Sequence, residues 1–209
     1  MLDLIKPADI LSECQCEKTY FLKLLKKLVL IETPPVHPKS HRKLFIVLEK
    51  ELNVLDYSAT WYPGIKSGGQ LFARPLVKSG NGCQLLLGHI DTVWPMGTLQ
   101  IMPFVKNENI LSGPGIYDMK AGIAMMITAL KIMNKLGVKP AVLPVLFINS
   151  DEETGTVESK ENIIRLAKVM NRVYVLEPSL DPDGKLKTRR KGVGHYDIKI
   201  KGVSSHAGI

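Results

Sequence analysis

Three short apolar runs each break off into acidic residues or histidine, and this repeated junction constrains the chain most. Leu85-Leu86-Leu87-Gly88 passes into His89-Ile90-Asp91. Val145-Leu146-Phe147-Ile148 passes into Asn149-Ser150-Asp151-Glu152-Glu153. Val173-Tyr174-Val175-Leu176 ends at Glu177-Pro178. Runs this short and this apolar read as strands buried on both faces. Between them lie segments with helical spacing. Strands alternating with helices imply an α/β sandwich built on a largely parallel sheet. In such sheets ligands bind beyond the carboxyl ends of the strands. His89, Glu152, Glu153 and Glu177 all follow strands directly, so one rim of the sheet is the expected site.

The intervening segments support this order. Residues 17–31 carry Tyr20, Phe21, Leu24, Leu25, Leu28 and Val29 at helical spacing, before Pro34-Pro35. A second helix is expected over residues 40–52. Residues 56–63 and 70–77 have strand character around a Ser67-Gly68-Gly69 turn, and residues 80–82 form another turn. Gly113-Pro114-Gly115 leads to Asp118, then to a helix over residues 119–136 with a stripe of Ile123, Met126, Ile127, Leu130 and Met133. Residues 160–169 read as a helix. Pro144 is expected as the first residue of its strand or at a bulge, because it cannot donate to the ladder. Residues 195–201 alternate, and residues 202–208 read as a turn into a helix.

Composition narrows the class. Hydrophobic content of 45% and charged content of 23% fit a globular chain long enough for a sizeable core. No apolar run has the length of a membrane span, and the N-terminus lacks the pattern of a signal peptide. Cys14, Cys16 and Cys83 form no disulfide framework, which points to a reducing, cytoplasmic setting. The net charge of +8 comes without a nucleic-acid-binding motif and reads as a solvated surface. Neither Cys14-x-Cys16 nor the pair His37 and His41 has the partners of a metal site.

The chemistry sits in the acidic set. His89, Asp118, the Glu152-Glu153 pair and Glu177 combine imidazole nitrogen with carboxylate oxygen, a donor set that suits zinc. A bridging carboxylate would hold two ions roughly 3.5–4 Å apart. One further carboxylate would be free to move a proton. Asp91, two residues after His89, has the spacing to orient its ring.

These residues carry a resemblance. Gly88-His89-Ile90-Asp91-Thr92-Val93-Trp94, Gly113-Pro114-Gly115-Ile116-Tyr117-Asp118-Met119-Lys120, Asn149-Ser150-Asp151-Glu152-Glu153-Thr154-Gly155, Glu177-Pro178 and Gly202-Val203-Ser204-Ser205-His206-Ala207-Gly208 occur in that order. Together they resemble the dizinc metallopeptidases that include glutamate carboxypeptidase, aminoacylase, acetylornithine deacetylase and succinyl-diaminopimelate desuccinylase. The likeness runs from about Leu44 to the end. Residues 92–99 and 189–194 look most similar to the glutamate carboxypeptidase branch.

The resemblance implies a three-layer α/β/α sandwich with a largely parallel mixed sheet, hydrolysing an amide in a small peptide or N-acyl amino acid. It implies that His89 and Glu177 bind one zinc, Asp118 bridges two, and Glu153 binds the second; cobalt or manganese could replace zinc. It implies that Glu152 is the general base, that Asp91 orients His89, and that His206 polarises the substrate carbonyl, often across a homodimer. No nucleic acid or membrane partner is implied. Ala121 stands where the family usually has Gly. Residues 1–190 correspond to the N-terminal part of the catalytic domain. Residues 191–209 correspond to the start of an inserted lid or dimerisation domain. The family's closing segment, with a last zinc-ligand His, has no counterpart in the sequence. The expectation is therefore a chain that holds one metal well and the second poorly, with an exposed sheet edge and little turnover alone. Two alternatives remain at this level: an N-acyl amino acid deacylase, and a metal-binding remnant without activity.

Overall fold

The computed structural model describes residues 5–77, 81–181, 183–187, 189, 191, 192, 194, 196–206 and 208. Gly80 of the 80–82 turn, Arg190 of the 189–194 segment, His195 of the alternating segment and Ala207 of the last motif lie outside them. So does Val193. The chain divides into two units, Met1–Pro178 and Ser179–Ile209.

In the first unit, helices α1 (Pro7–Cys16), α2 (Lys18–Val29) and α3 (Pro38–Asn53) precede strands β1 (Tyr57–Tyr62), β2 (Gln70–Pro75) and β3 (Cys83–His89). A short helix α4 (Thr98–Ile101) and a hairpin of β4 (Val105–Asn107) and β5 (Ile110–Ser112) follow. Then come α5 (Ala121–Lys135), β6 (Leu143–Asn149), α6 (Lys160–Val169) and β7 (Arg172–Val175). The five long strands form one sheet in the order β1-β2-β6-β3-β7. It is mixed. β3 runs parallel to both β6 and β7, whereas β2 runs antiparallel to β1 and to β6.

The side chains explain the layering. On β6, alternate residues face opposite sides. Leu146 and Ile148 join a core with Leu24, Leu28, Leu44, Leu48, Ile123 and Ile127, which seats α2, α3 and α5 on one face of the sheet. Val145 and Phe147 join Leu85 and pack with Ile163 and Leu166, which seats α6 on the other. The result is an α/β/α sandwich. Among the described residues no helix is long and apolar enough to cross a membrane.

Several elements differ from the expectation. Pro144 is the second residue of β6, not the first. It stays compatible with the sheet because the β2 pairing stops at Leu146, so no β2 carbonyl is paired at its ring nitrogen. The helix expected from residue 119 starts at Ala121, after a separate turn over Ile116–Lys120. α1, α4 and the β4–β5 hairpin were not anticipated. α1 buries none of its side chains, so no apolar stripe announces it. In the second unit, the described residues of the 195–201 and 202–208 segments form neither strand nor helix. Tyr196, Ile198, Ile200 and Val203 are all more than four-fifths exposed there. An alternating pattern becomes a strand only with a neighbour to satisfy its backbone, and no described segment of that unit pairs with it.

The main core sets the stability of the first unit. Leu48 is fully buried at the centre of the α2–α3–α5 face. Leu48→Ala is expected to destabilise the protein by about 2–5 kcal/mol in urea unfolding. Leu11→Ala, on the exposed face of α1, is expected to change stability by less than about 0.5 kcal/mol. Comparable losses at the two positions would contradict this assignment of the core.

Candidate metal centre

Strand register assembles the site. β3 and β6 end level, with His89 opposite Asn149. β7 ends with Val175 opposite Leu87, so two further residues along each chain bring Glu177 to the height of His89. Asp118 enters from the turn before α5, and Glu152 and Glu153 from the single 3-10 turn after β6. The peptide between Asp118 and Met119 is cis.

At the centre is His89, which is 1% exposed. Its Nδ1 donates to the Asp91 carbonyl oxygen at 3.0 Å. The Asp91 carboxylate is slightly farther, with Oδ1 at 3.4 Å from the same nitrogen. Asp91 therefore orients the ring chiefly through its backbone. Its Oδ2 accepts the Glu153 backbone N–H at 2.9 Å instead, which links the two loops. The opposite nitrogen, Nε2, faces Asp118 Oδ1 at 3.0 Å and Glu177 Oε1 at 3.3 Å.

His89, Asp118 and Glu153 offer ligand atoms that all lie within 4.8 Å of one another. Ligands roughly 2.0–2.2 Å from one ion stand at most about 4.4 Å apart, so small side-chain rotations would close this set on a cation. The charges agree. Burial disfavours the charged His89 ring, but the hydrogen bonds and charges of Asp91 and Glu177 prevail and push it up to about 11. Burial and then the Glu177 charge raise Asp118 against the pull of His89. Burial and then Asp118 raise Glu153. Glu152 is raised too, by partial burial first; His89 opposes this, and Glu177, Asp91 and Asp118 add to it. A group of carboxylates raised by burial and by one another's charge is suited to a divalent ion, which supplies the positive charge that they lack.

Of the seven residues singled out in the sequence, the structure brings His89, Asp91, Asp118, Glu152, Glu153 and Glu177 to one rim. His206 belongs to the second unit, where it is exposed and its Nδ1 accepts the Gly208 N–H at 3.1 Å. His41 is buried on α3, with Nε2 against the Pro34 carbonyl oxygen at 2.9 Å. Cys14, Cys16 and Cys83 are free thiols.

Supporting residues escaped the sequence reading. Lys120 is buried, and its ammonium donates to the Ile31 carbonyl at 2.8 Å. Burial pushes it down to about 7 against the Glu32 charge. Gly122 is packed so closely that an added Cβ would lie 2.2 Å from the Leu176 carbonyl oxygen, one residue before Glu177. Its signal was present as a glycine inside a helical pattern, which marks a close backbone approach.

Residues 85–205 match the peptidase family M20/M25/M40. Carboxypeptidase G2 of Pseudomonas sp. (strain RS-16) is 32% identical over 194 residues, 92% of this chain and 46% of that protein. Acetylornithine deacetylase of Buchnera aphidicola subsp. Acyrthosiphon pisum (strain 5A) is 25% identical over 198 residues, 90% of this chain and 49% of that protein. The chain thus spans about half the length of these relatives. Among solved structures, human carnosine dipeptidase 1 shares the fold with a TM-score of 0.69 at 17% identity, over 82% of this chain and 41% of that one. The metallo-carboxypeptidase Sso-CP2 from Sulfolobus solfataricus does so with a TM-score of 0.64 at 18% identity, over 78% and 38%.

Two measurements probe this geometry. A cation must compete with the proton on His89 and with those on the raised carboxylates, so its binding strengthens as pH rises. Added Co²⁺ is expected to raise Tm at pH 7.5, by the equivalent of about 2.7 kcal/mol at 100 times Kd, and to raise it less at pH 5.5. Equal shifts at both pH values would contradict the cluster. Helix propensity favours Ala over Gly by roughly 0.5–1 kcal/mol. The Leu176 approach reverses that preference, so Gly122→Ala is expected to lower Tm and weaken Co²⁺ binding. A more stable Gly122→Ala protein would show that the approach is not needed.

Proposed function

The chain belongs to peptidase family M20/M25/M40, and from that premise we propose that the protein carrying it is a zinc-dependent peptidase or amidohydrolase. Its substrate is an amide next to a C-terminal amino acid, with glutamate preferred. The convergence of His89, Asp118 and Glu153, with ligand atoms all within 4.8 Å of one another, is the observation that carries this reading.

In this proposal His89, Asp118 and Glu177 hold one ion, and Asp118 and Glu153 hold the second. A metal bound there would supply Lewis-acid chemistry, polarising an amide carbonyl and lowering the pKa of water. The chain's own residues do the rest. Asp91 keeps the His89 ring turned so that Nε2 faces the cluster. Glu152 takes a proton from the attacking water and returns it to the departing nitrogen. Its raised pKa suits that role, because a base closer to neutrality can also act as the acid. His206 is assigned to the substrate carbonyl, in a homodimer of the complete protein, on the strength of the sequence resemblance alone. Residues 1–190 are read as catalytic domain and residues 191–209 as the beginning of an inserted domain. The three free thiols support a cytoplasmic setting.

Carboxypeptidase G2 among the relatives favours the carboxypeptidase activity. Acetylornithine deacetylase among them supports a second reading, removal of an acyl group from an N-acyl amino acid. In the protein carrying this chain, zinc-dependent hydrolysis is expected to be faster for a peptide ending in L-glutamate than for N-acetylornithine. Glu152→Gln is expected to cut kcat by roughly 10²–10⁴ while metal content stays the same. Full turnover by the Glu152→Gln protein would remove Glu152 from the mechanism. A preference for N-acetylornithine would favour the deacylase reading.

A further inference from the structure

The turn bearing Glu152 and Glu153 has little regular structure to hold it. It is one turn of 3-10 helix, Glu152–Thr154, between the end of β6 and the start of α6. A single side chain closes it. Asp151 is 3% exposed, and its carboxylate accepts four hydrogen bonds. Oδ2 takes the backbone N–H groups of Glu158 at 2.7 Å and Ser159 at 3.0 Å. Oδ1 takes the Ser159 hydroxyl at 2.6 Å and the Asn149 side-chain amide at 3.1 Å. The Asp151 carbonyl also accepts the Thr156 N–H at 2.7 Å. The segment from 151 to 159 is thereby drawn into a closed loop, with the two glutamates directly after its closing residue.

We infer that Asp151 is the positioning residue of this turn: it sets where Glu152 and Glu153 stand without itself touching substrate or metal. The inference rests on the proposed roles of those two glutamates. Four donors converge on two oxygens, and two of them are backbone groups that cannot be redirected. Asparagine keeps part of the arrangement. Its oxygen can accept both backbone N–H groups and its amide can donate to the Ser159 hydroxyl, at the cost of the Asn149 bond. Alanine loses all four and leaves buried donors unpaired. Slack at this point reaches Glu153, whose backbone N–H is held from the other side by Asp91 Oδ2.

The test combines amide hydrogen exchange with Co²⁺ titration of the wild-type, Asp151→Asn and Asp151→Ala proteins. In Asp151→Ala the Glu153, Glu158 and Ser159 amides are expected to exchange at least tenfold faster. The β6 amides of Leu146, Phe147 and Ile148 are expected to keep their protection. Co²⁺ affinity is expected to fall about 10–100-fold, the range for removal of a supporting partner. Asp151→Asn is expected to lie between wild type and alanine on both readouts. Uniform loss of protection across β6 and the turn would mean a merely structural role and overturn the inference. Unchanged exchange at Glu153 would overturn it as well. Should Asp151→Ala not fold, the same two criteria apply to Asp151→Asn. A wild-type protein that binds no Co²⁺ would refute the metal reading, and the exchange data would still judge Asp151.

Discussion

Repulsion among carboxylates is the constraint on which the rest of the structure depends. Asp91, Asp118, Glu152, Glu153 and Glu177 gather around one buried imidazole, and their charge exceeds what that ring can balance. Two like charges about 5 Å apart repel by roughly 3 kcal/mol at an effective dielectric of about 20, and by less where water screens them. Asp118, with about half its side chain open to solvent, feels the screened value. A fold that brings such groups together must hold them by force of packing and hydrogen bonding. The parallel ladder of β6, β3 and β7 supplies that force, and its shared direction puts every strand end on the same rim.

The rim is reinforced by carboxylates of a different kind. Asp151 and Glu158 face hydrogen-bond donors, not other anions. Glu158 accepts the backbone N–H groups of Ile65, Lys66 and Ser67 and the Ser67 hydroxyl. Those hydrogen bonds outweigh the effect of burial and lower its pKa. The Ser150 hydroxyl donates to the Gly69 carbonyl on the same side. The loop over residues 64–69 is thus fastened to the segment that carries Glu152 and Glu153. Carboxylates satisfied by donors fix the scaffold, and carboxylates left facing one another form the cluster that could hold a cation.

The strand-end positions of His89, Glu152, Glu153 and Glu177 were legible because an apolar run followed at once by charge is a strong local signal. α2 and α5 were legible from their stripes, and all four of α2, α3, α5 and α6 were placed to within a few residues at their ends. What stayed hidden depends on partners distant in the chain. Nothing local in residues 57–62 or 70–75 says that β2 joins β6 in the antiparallel sense. The β4–β5 hairpin has three-residue strands whose side chains are exposed except for half-buried Leu111, and no periodicity to read. Asp151 looked like one more acidic residue of its motif; its role appears only when Ser159 and Asn149 are seen beside it. Gly122 carried a signal, but what it approaches belongs to a segment more than fifty residues later.

The central claim is that divalent cations complete this cluster, beginning with the ion assigned to His89, Asp118 and Glu177. Anomalous diffraction at the zinc absorption edge from zinc-loaded crystals tests it most directly. The account predicts a peak bounded by His89 Nε2 and carboxylate oxygens of Asp118 and Glu177, at ligand distances of roughly 2.0–2.2 Å. A well-ordered zinc bound elsewhere on the protein, with no anomalous density among these residues, would contradict it.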